Sequence, residues 1–190
     1  MFADVKNDVR RDIYARLMAY SQGKDNDDVL ACILSTWQSG GCSLPEYVGL
    51  GQFEFEKMIG HHFPGFLSSS LSQPDKSVSD DRVDEINDVR KLLADSRVGN
   101  TYSERWVAQI VAVACQGNDH LWQDLGLWSR KDLSELLMRN FSALAMRNDK
   151  DMKWKKFLYK QLCETEGIYT CRSPSCEVCA EYNDCFGPEE

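Results

Sequence analysis

Four cysteines fall within fifteen positions near the end of the chain, spaced Cys171-x4-Cys176-x2-Cys179-x5-Cys185 in the run CRSPSCEVCAEYNDC. Thiolates are soft ligands that suit zinc or an iron–sulfur cluster, and both commonly take four of them. Structural zinc sites usually set two short knuckles a dozen or more residues apart, and only Cys176-x2-Cys179 has the form of a knuckle. A single winding loop with a Cys-x4-Cys-x2-Cys start matches the corners of a cluster better, so the spacing favours iron–sulfur, with a structural zinc loop as the alternative. Disulfides are the third option and require an oxidising compartment.

Composition and charge bound the rest. The chain has 190 residues, 43% of them hydrophobic, which is enough for one substantial core. Its formal net charge of -8 repels a phosphate backbone, so nucleic acid is not an expected partner. The N-terminal MFADVKNDVRRDIYARL carries charges where a signal peptide needs an apolar run, and the longest apolar-biased uncharged stretch, 106–118, is too short for a bilayer. A cytoplasmic protein with no membrane partner is expected, and in that compartment clustered thiols stay reduced and bind metal.

The elements that must position the cysteines read as helices. Val5, Val9, Ile13 and Leu17 recur at four-residue steps, and Val29, Ile33 and Trp37 follow with Leu30 and Leu34 beside them. Ser39-Gly40-Gly41 ends the second helix, Leu44-Pro45-Glu46 can start a third through Phe53, Phe55 and Met58, and Pro64-Gly65 stops it. After the serine-rich 67–80 come Val83, Ile86, Val89 and Leu93, then a helix with Ser103 as N-cap and Trp106, Val107, Ile110 and Val111 inward. Ser129 caps another helix that runs through Phe141 and Leu144, and the last helix starts near Asp149. With no strand alternation, the predicted fold is all-α, a helical bundle with an irregular cysteine-rich C-terminal metal-binding loop. Its parts are an N-terminal helical half (1–66), a serine-rich linker or loop (67–80), a C-terminal helical half (81–170) and the four-cysteine loop and tail (171–190), in one domain overall.

The segment DMKWKKFLYKQLCETEGIYTCRSPSCEVCAEYNDCFGPEE, preceded by HLWQDLGLWSRKDLSELL, resembles the NifQ family of nitrogen-fixation proteins over residues 120–190. ACILSTW and HHFPG in the first half are similar in kind but less diagnostic. The resemblance implies a metal carrier, not an enzyme: an iron–sulfur protein that donates molybdenum during biosynthesis of the nitrogenase iron–molybdenum cofactor. It also implies Cys171, Cys176, Cys179 and Cys185 as cluster ligands and the cofactor-assembly scaffold and iron protein as partners. A cubane held by three thiolates leaves one corner for a different metal, and four thiols leave one to spare.

Other residues are weighed beside them. His61, His62 and His120 are the only histidines and are candidate nitrogen ligands to molybdenum, against a structural role at a helix end or turn. From Arg147 to Lys160 six basic residues meet two acidic ones, so Lys153, Lys155, Lys156 and Lys160 are candidates for electrostatic docking, against a plain solvated helix face. Cys32 and Cys115 lie in apolar runs and read as core, whereas Cys42 and Cys163 are more exposed by context and could assist metal entry. Two rivals keep an iron–sulfur cluster: an endonuclease III-like DNA glycosylase, echoed faintly by LPEYVGLGQ, and a simple ferredoxin-like electron carrier.

Overall fold

The computed structural model describes residues 2–71, 82–165 and 182–188, with side chains from residue 8 onward. Among the described residues every regular element is helical: α1 (Phe2–Met18), α2 (Asp27–Gln38), α3 (Gln52–His62), α4 (Val83–Asp95), α5 (Tyr102–Ala114), α6 (Leu121–Leu125), α7 (Arg130–Asn140), α8 (Ser142–Ala145), α9 (Trp154–Thr165) and α10 (Tyr182–Phe186). Two 3₁₀ turns, Glu46–Gly49 and Ser68–Ser70, fall between them. The all-α prediction therefore holds for the described residues. The cysteine-rich loop lies mostly outside them, as does most of the expected 67–80 linker, of which Leu71 is buried.

One hydrophobic cluster takes residues from both halves of the chain, from Ile13 to Leu158. α5 lies inside it, with Val111, Ala112 and Ala114 fully buried, and packs on α3, α4, α6 and the first 3₁₀ turn. α1 packs on α2, and α9 reaches the core through α4. Burying a Leu or Phe contributes roughly 1.5–3 kcal/mol each. The inward faces of Leu133, Leu136 and Leu137 on α7 and of Phe157 and Leu158 on α9 thus fix both helices.

Local chemistry sets the helix ends. α2 closes as sequence reading expects: Gly40 adopts φ 70°, its N–H reaches Trp37 O at 3.0 Å, and the Gly41 N–H reaches Thr36 O at 3.0 Å. That pair of bonds is a Schellman motif, which needs a left-handed residue that glycine adopts without strain. Ser129 caps α7 by accepting the Asp132 N–H at 3.2 Å.

Four boundaries differ from the periodicity. α5 is capped by Thr101 rather than Ser103: Thr101 Oγ1 accepts the Glu104 N–H and Glu104 accepts the Thr101 N–H in return. This capping box satisfies two orphan donors, which a lone serine cannot match. Ser103 is instead buried and accepts from Asn26 at 2.9 Å. α3 begins at Gln52, because Tyr47, Val48, Gly49 and Gly51 all have positive φ and break the helix that Leu44-Pro45-Glu46 could have started. α7 stops at Asn140, whose side chain turns inward to pair with Asn26; Phe141 is the non-helical residue between the helices and Leu144 falls in the separate short α8. α9 begins at Trp154, since Asp151 is left-handed (φ 53°) and Asn148 ties off the preceding turn through Met152.

Gly126 decides how closely α6 approaches α2. It has φ 80°, and a Cβ there would lie 2.8 Å from Thr36 Cβ and 3.1 Å from Cys42 Cβ. Gly126→Ala combines a left-handed penalty with overpacking and is expected to cost about 2–4 kcal/mol, read as a lowered urea midpoint with unchanged slope.

Candidate functional site

Of the four cysteines, Cys185 lies within the described residues; Cys171, Cys176 and Cys179 lie outside them. Cys185 sits half-buried in α10, where Tyr182 and Phe186 stack at 4.6 Å and Cys185 and Phe186 pack against the core. Its carbonyl accepts the Lys153 N–H at 2.7 Å, and Lys153 Nζ donates to Asn183 O at 3.2 Å. α10 is therefore docked where α9 begins. α9 ends at Thr165, and its twelve residues span about 18 Å. The end of α9 and the docked α10 thus lie at opposite ends of one core-packed helix.

The donor set fits an iron–sulfur cluster or zinc on its chemistry, four soft thiols in one stretch with Cys185 held at a fixed place. Among the described residues no group of three or more His, Cys, Asp or Glu side chains is placed to hold a metal ion. The two core cysteines are poor ligands. Burial pushes both the Cys32 and the Cys115 thiols up to about 12, and both are in the core as their apolar surroundings predicted. Cys42 and Cys163 are half-buried.

The rings of His61 and His62 meet edge to face at 4.8 Å, while His120 lies on another element, and no group of three ligating side chains forms around them among the described residues. His61 is exposed on the last turn of α3 against the Trp106 ring, and His120 stands before α6, its N–H donating to Gln123 Oε1 at 3.2 Å. His62 is fully buried, with Nδ1 2.7 Å from Asp27 Oδ1. Asp27 also accepts from Ser21 Oγ and from the N–H groups of Gln22 and Lys24. Burial alone would raise the Asp27 pKa, but the Ser21 and His62 hydrogen bonds hold the carboxyl below its usual value. Burial in turn lowers the His62 pKa despite its bond to Asp27, so the ring is neutral with its hydrogen on Nδ1.

This pair makes folding pH-dependent. Both folded-state pKa values are depressed, so the stability they contribute is complete above the unfolded histidine value and falls as pH drops through it. Below about pH 6.5 the unfolded histidine takes up a proton more readily than folded His62 does, with a slope of at most about 1.4 kcal/mol per pH unit. A second loss begins below about pH 4 as Asp27 protonates in the unfolded chain. Chemical denaturation across this range should show the first slope in the native chain and a much flatter one in His62→Gln.

The lysine row is not a uniform face. Lys156 and Lys160 are exposed, Lys160 lying 3.7 Å from Glu164, while Lys155 turns inward. Its ammonium bonds the Asp124 carboxylate, which is 2% exposed, and donates to Gly117 O at 2.8 Å. Asp124 also accepts the Asp119 N–H at 3.1 Å, and its carbonyl takes the Ser43 N–H and hydroxyl at 3.2 Å each. One aspartate thus joins the loop after α2, the turn after α5, α6 and α9. Gly117 makes room for it, since a Cβ there would fall 2.1 Å from Asp124 Oδ1. Sequence reading passed over Asp124, which in HLWQDL looks like an ordinary polar position of a short helix; the glycines at 117 and 126 on either side were the available signal of a crowded turn.

These elements wall a cavity of about 820 Å³. Cys42, Arg10, Arg82, Asn118, Trp122 and Asp124 are among its lining residues. Gln116 also lines it, but the indole Nε1 of Trp122 and the amide oxygen of Gln116 are turned away into the protein, buried and without a hydrogen-bond partner among the described residues.

An all-helical body whose α10 packs where α9 begins defines a class, that of small all-α proteins with a cysteine-rich C-terminal segment. Comparison with known proteins specifies the family. The family model NifQ matches residues 29–187. The chain is 47% identical over 167 residues to a protein named NifQ from Azotobacter vinelandii, covering 83% of this chain and 86% of that one. It is 36% identical over 166 residues to a NifQ homolog from Sinorhizobium fredii, covering 85% and 72%. A NifQ protein of Rhodobacter capsulatus is 43% identical over 89 residues, 47% of this chain and 49% of its own. No solved structure matches the chain. The chain belongs to the NifQ family of nitrogen-fixation proteins.

Proposed function

We propose that this protein is an iron–sulfur carrier that donates molybdenum during biosynthesis of the nitrogenase iron–molybdenum cofactor. The observation that carries the reading is the Cys171-x4-Cys176-x2-Cys179-x5-Cys185 run inside the stretch matched to the NifQ family. Family membership favours it over a DNA glycosylase. The cluster is cargo and workplace at once: thiolates hold it, a labile corner takes molybdenum, and transfer is ligand exchange rather than catalysis. The receiving partners are the cofactor-assembly scaffold and iron protein, in the cytoplasm. Docked α10 supports the reading by holding one proposed ligand, Cys185, against the helical body.

Protein isolated without oxygen should contain iron, acid-labile sulfide and molybdenum, and should pass molybdenum to an assembly partner. Stoichiometric zinc with neither iron nor sulfide overturns the proposal in favour of a structural zinc loop. A cluster that never takes up or passes on molybdenum favours an electron carrier instead.

A further inference from the structure

We infer that the outer face of α9 is a docking surface for an acidic patch on a partner protein. That the partner is a cofactor-assembly protein rests on the carrier reading above; that it is acidic rests on the charge of this face.

Residues 147–160 hold six basic and two acidic residues, while the rest of the chain holds 16 basic against 28 acidic, a net of -12. Lys153, Lys156 and Lys160 fall at i, i+3 and i+7, so they share one side of the helix over about 10 Å. Several cations of other elements have an acid of their own: Lys57 meets Glu54, Arg82 meets Glu85 and Arg139 meets Asp28. Along α9 that balance fails. Arg147 and Lys160 share the carboxylate of Glu164, each at 3.7 Å, and Lys153 gives its ammonium to a neutral carbonyl, Asn183 O, at 3.2 Å. Lys150 and Lys156 are exposed and have no ion-pair partner among the described residues. Like charges held this close repel one another, and a carboxylate surface laid against them relieves that repulsion.

Two features favour a protein over other polyanions. Exposed apolar side chains flank the row: Met146, 63% exposed, precedes Arg147, and Tyr182, 45% exposed, stacks on Phe186 in α10. Arg147 reaches the last turn of α9 through Glu164 and α10 is docked at the first, so the two anchors belong to opposite ends of the helix. Charge that steers an encounter, with methionine and tyrosine beside it to hold the contact, is the make-up of a protein interface. An extended polyanion, a duplex or an anionic bilayer, would also face the net -12 of the remaining chain. An acidic patch about as long as the row meets the row alone, since charges farther off than about 10 Å are screened. Docking there brings the partner beside α10, where the Lys153 N–H bonds Cys185 O at 2.7 Å, the end of the helix at which a proposed ligand is held.

The test is equilibrium binding of the anaerobically isolated chain to three probes: the cofactor-assembly scaffold, the iron protein, and vesicles of phosphatidylglycerol in phosphatidylcholine. Three forms are compared, the native chain, Lys156→Glu/Lys160→Glu, and Lys57→Glu/Lys91→Glu, which makes the same change in net charge at exposed positions on α3 and α4. The native chain should bind at least one of the two assembly proteins, and more tightly than the vesicles. The control should bind within about twofold of native and the α9 reversal about tenfold or more weakly, the scale of like charges brought together at an interface. Raising salt from about 0.05 M to about 0.3 M should weaken native binding about fivefold or more and shrink the difference between the forms. Circular dichroism confirms that both double variants fold. Absence of binding to either assembly protein, salt-independent binding, equal loss in the two double variants, unchanged affinity in the α9 reversal, or tighter binding to the vesicles would each overturn the inference. Unchanged affinity in an α9 reversal that still passes molybdenum leaves the carrier reading standing. Binding that depends on the lysine row, in a chain that never acquires iron or sulfide, does the reverse.

Discussion

Replacing Cys171, Cys176, Cys179 or Cys185 with serine is expected to lower iron and sulfide per chain about tenfold or more while far-UV circular dichroism stays close to native. The size follows from exchanging a soft thiolate for a hard hydroxyl in a site where each ligand is required. The survival of helicity follows from the core, whose buried members among the described residues run from Ile13 to Leu158, with Cys185 only partly buried at its edge. Cys185→Ser is the informative single variant. The bond that docks α10 is made by the Cys185 backbone carbonyl, so the substitution removes the proposed ligand sulfur without releasing the helix. Cys115→Ala supplies the opposite control: a buried thiol pushed up to about 12 is no metal ligand, so its loss should cost about 1 kcal/mol of stability and no iron. Measuring iron, sulfide and denaturation midpoint on the same preparations separates the two effects. Global unfolding of all four serine variants would contradict the division between scaffold and cluster.

What the sequence made legible is what periodicity and capping encode locally. The helices around Leu17, Trp37, Val111 and Leu136 announce themselves by apolar spacing, and the Gly40-Gly41 stop and Ser129 start by turn chemistry. The misjudged boundaries share a cause, which is that a partner distant in sequence outweighed the local signal. Asn140 leaves the helical run to meet Asn26, and Ser103 gives up the cap position to the same residue. The positive φ of Val48 is tolerated because its side chain is fully buried and Gln109 Nε2 bonds Gly49 O across at 3.2 Å. The candidate site divides the same way. The thiol spacing is one-dimensional information and needs no fold to be read. The cavity is not, since Arg10, Cys42, Arg82 and Trp122 come from separate elements that no spacing rule connects. His62 shows the limit from the other side: a histidine in a polar-looking HHFPG run is held in the core because Asp27, 35 residues earlier, is there to meet it.

The Asp124–Lys155 pair should carry a large effect on stability for a residue outside the apolar core. Lys155→Met leaves the Asp124 carboxylate 2% exposed with the Asp119 N–H as its remaining side-chain partner. Removing one member of a buried pair typically costs 3–5 kcal/mol, because the desolvation of the survivor is no longer offset by its counter-charge. Lys155 keeps 18% of its side-chain surface exposed, which lets water reach the vacated position and places the expected loss near about 3 kcal/mol. Lys156→Met, one residue on and exposed, should change stability by less than about 0.5 kcal/mol. The double variant Asp124→Asn/Lys155→Met removes both charges while keeping an acceptor for the Asp119 N–H, and it should recover much of the loss. The pair also fastens α9 to the wall of the cavity, and α10, which carries Cys185, is docked where α9 begins. Loosening it should therefore weaken cluster retention in Lys155→Met although no ligand has been changed. A Lys155→Met protein as stable as Lys156→Met, with the same iron content, would mean that the ion pair is incidental and that α9 is held by Trp154, Phe157 and Leu158 alone.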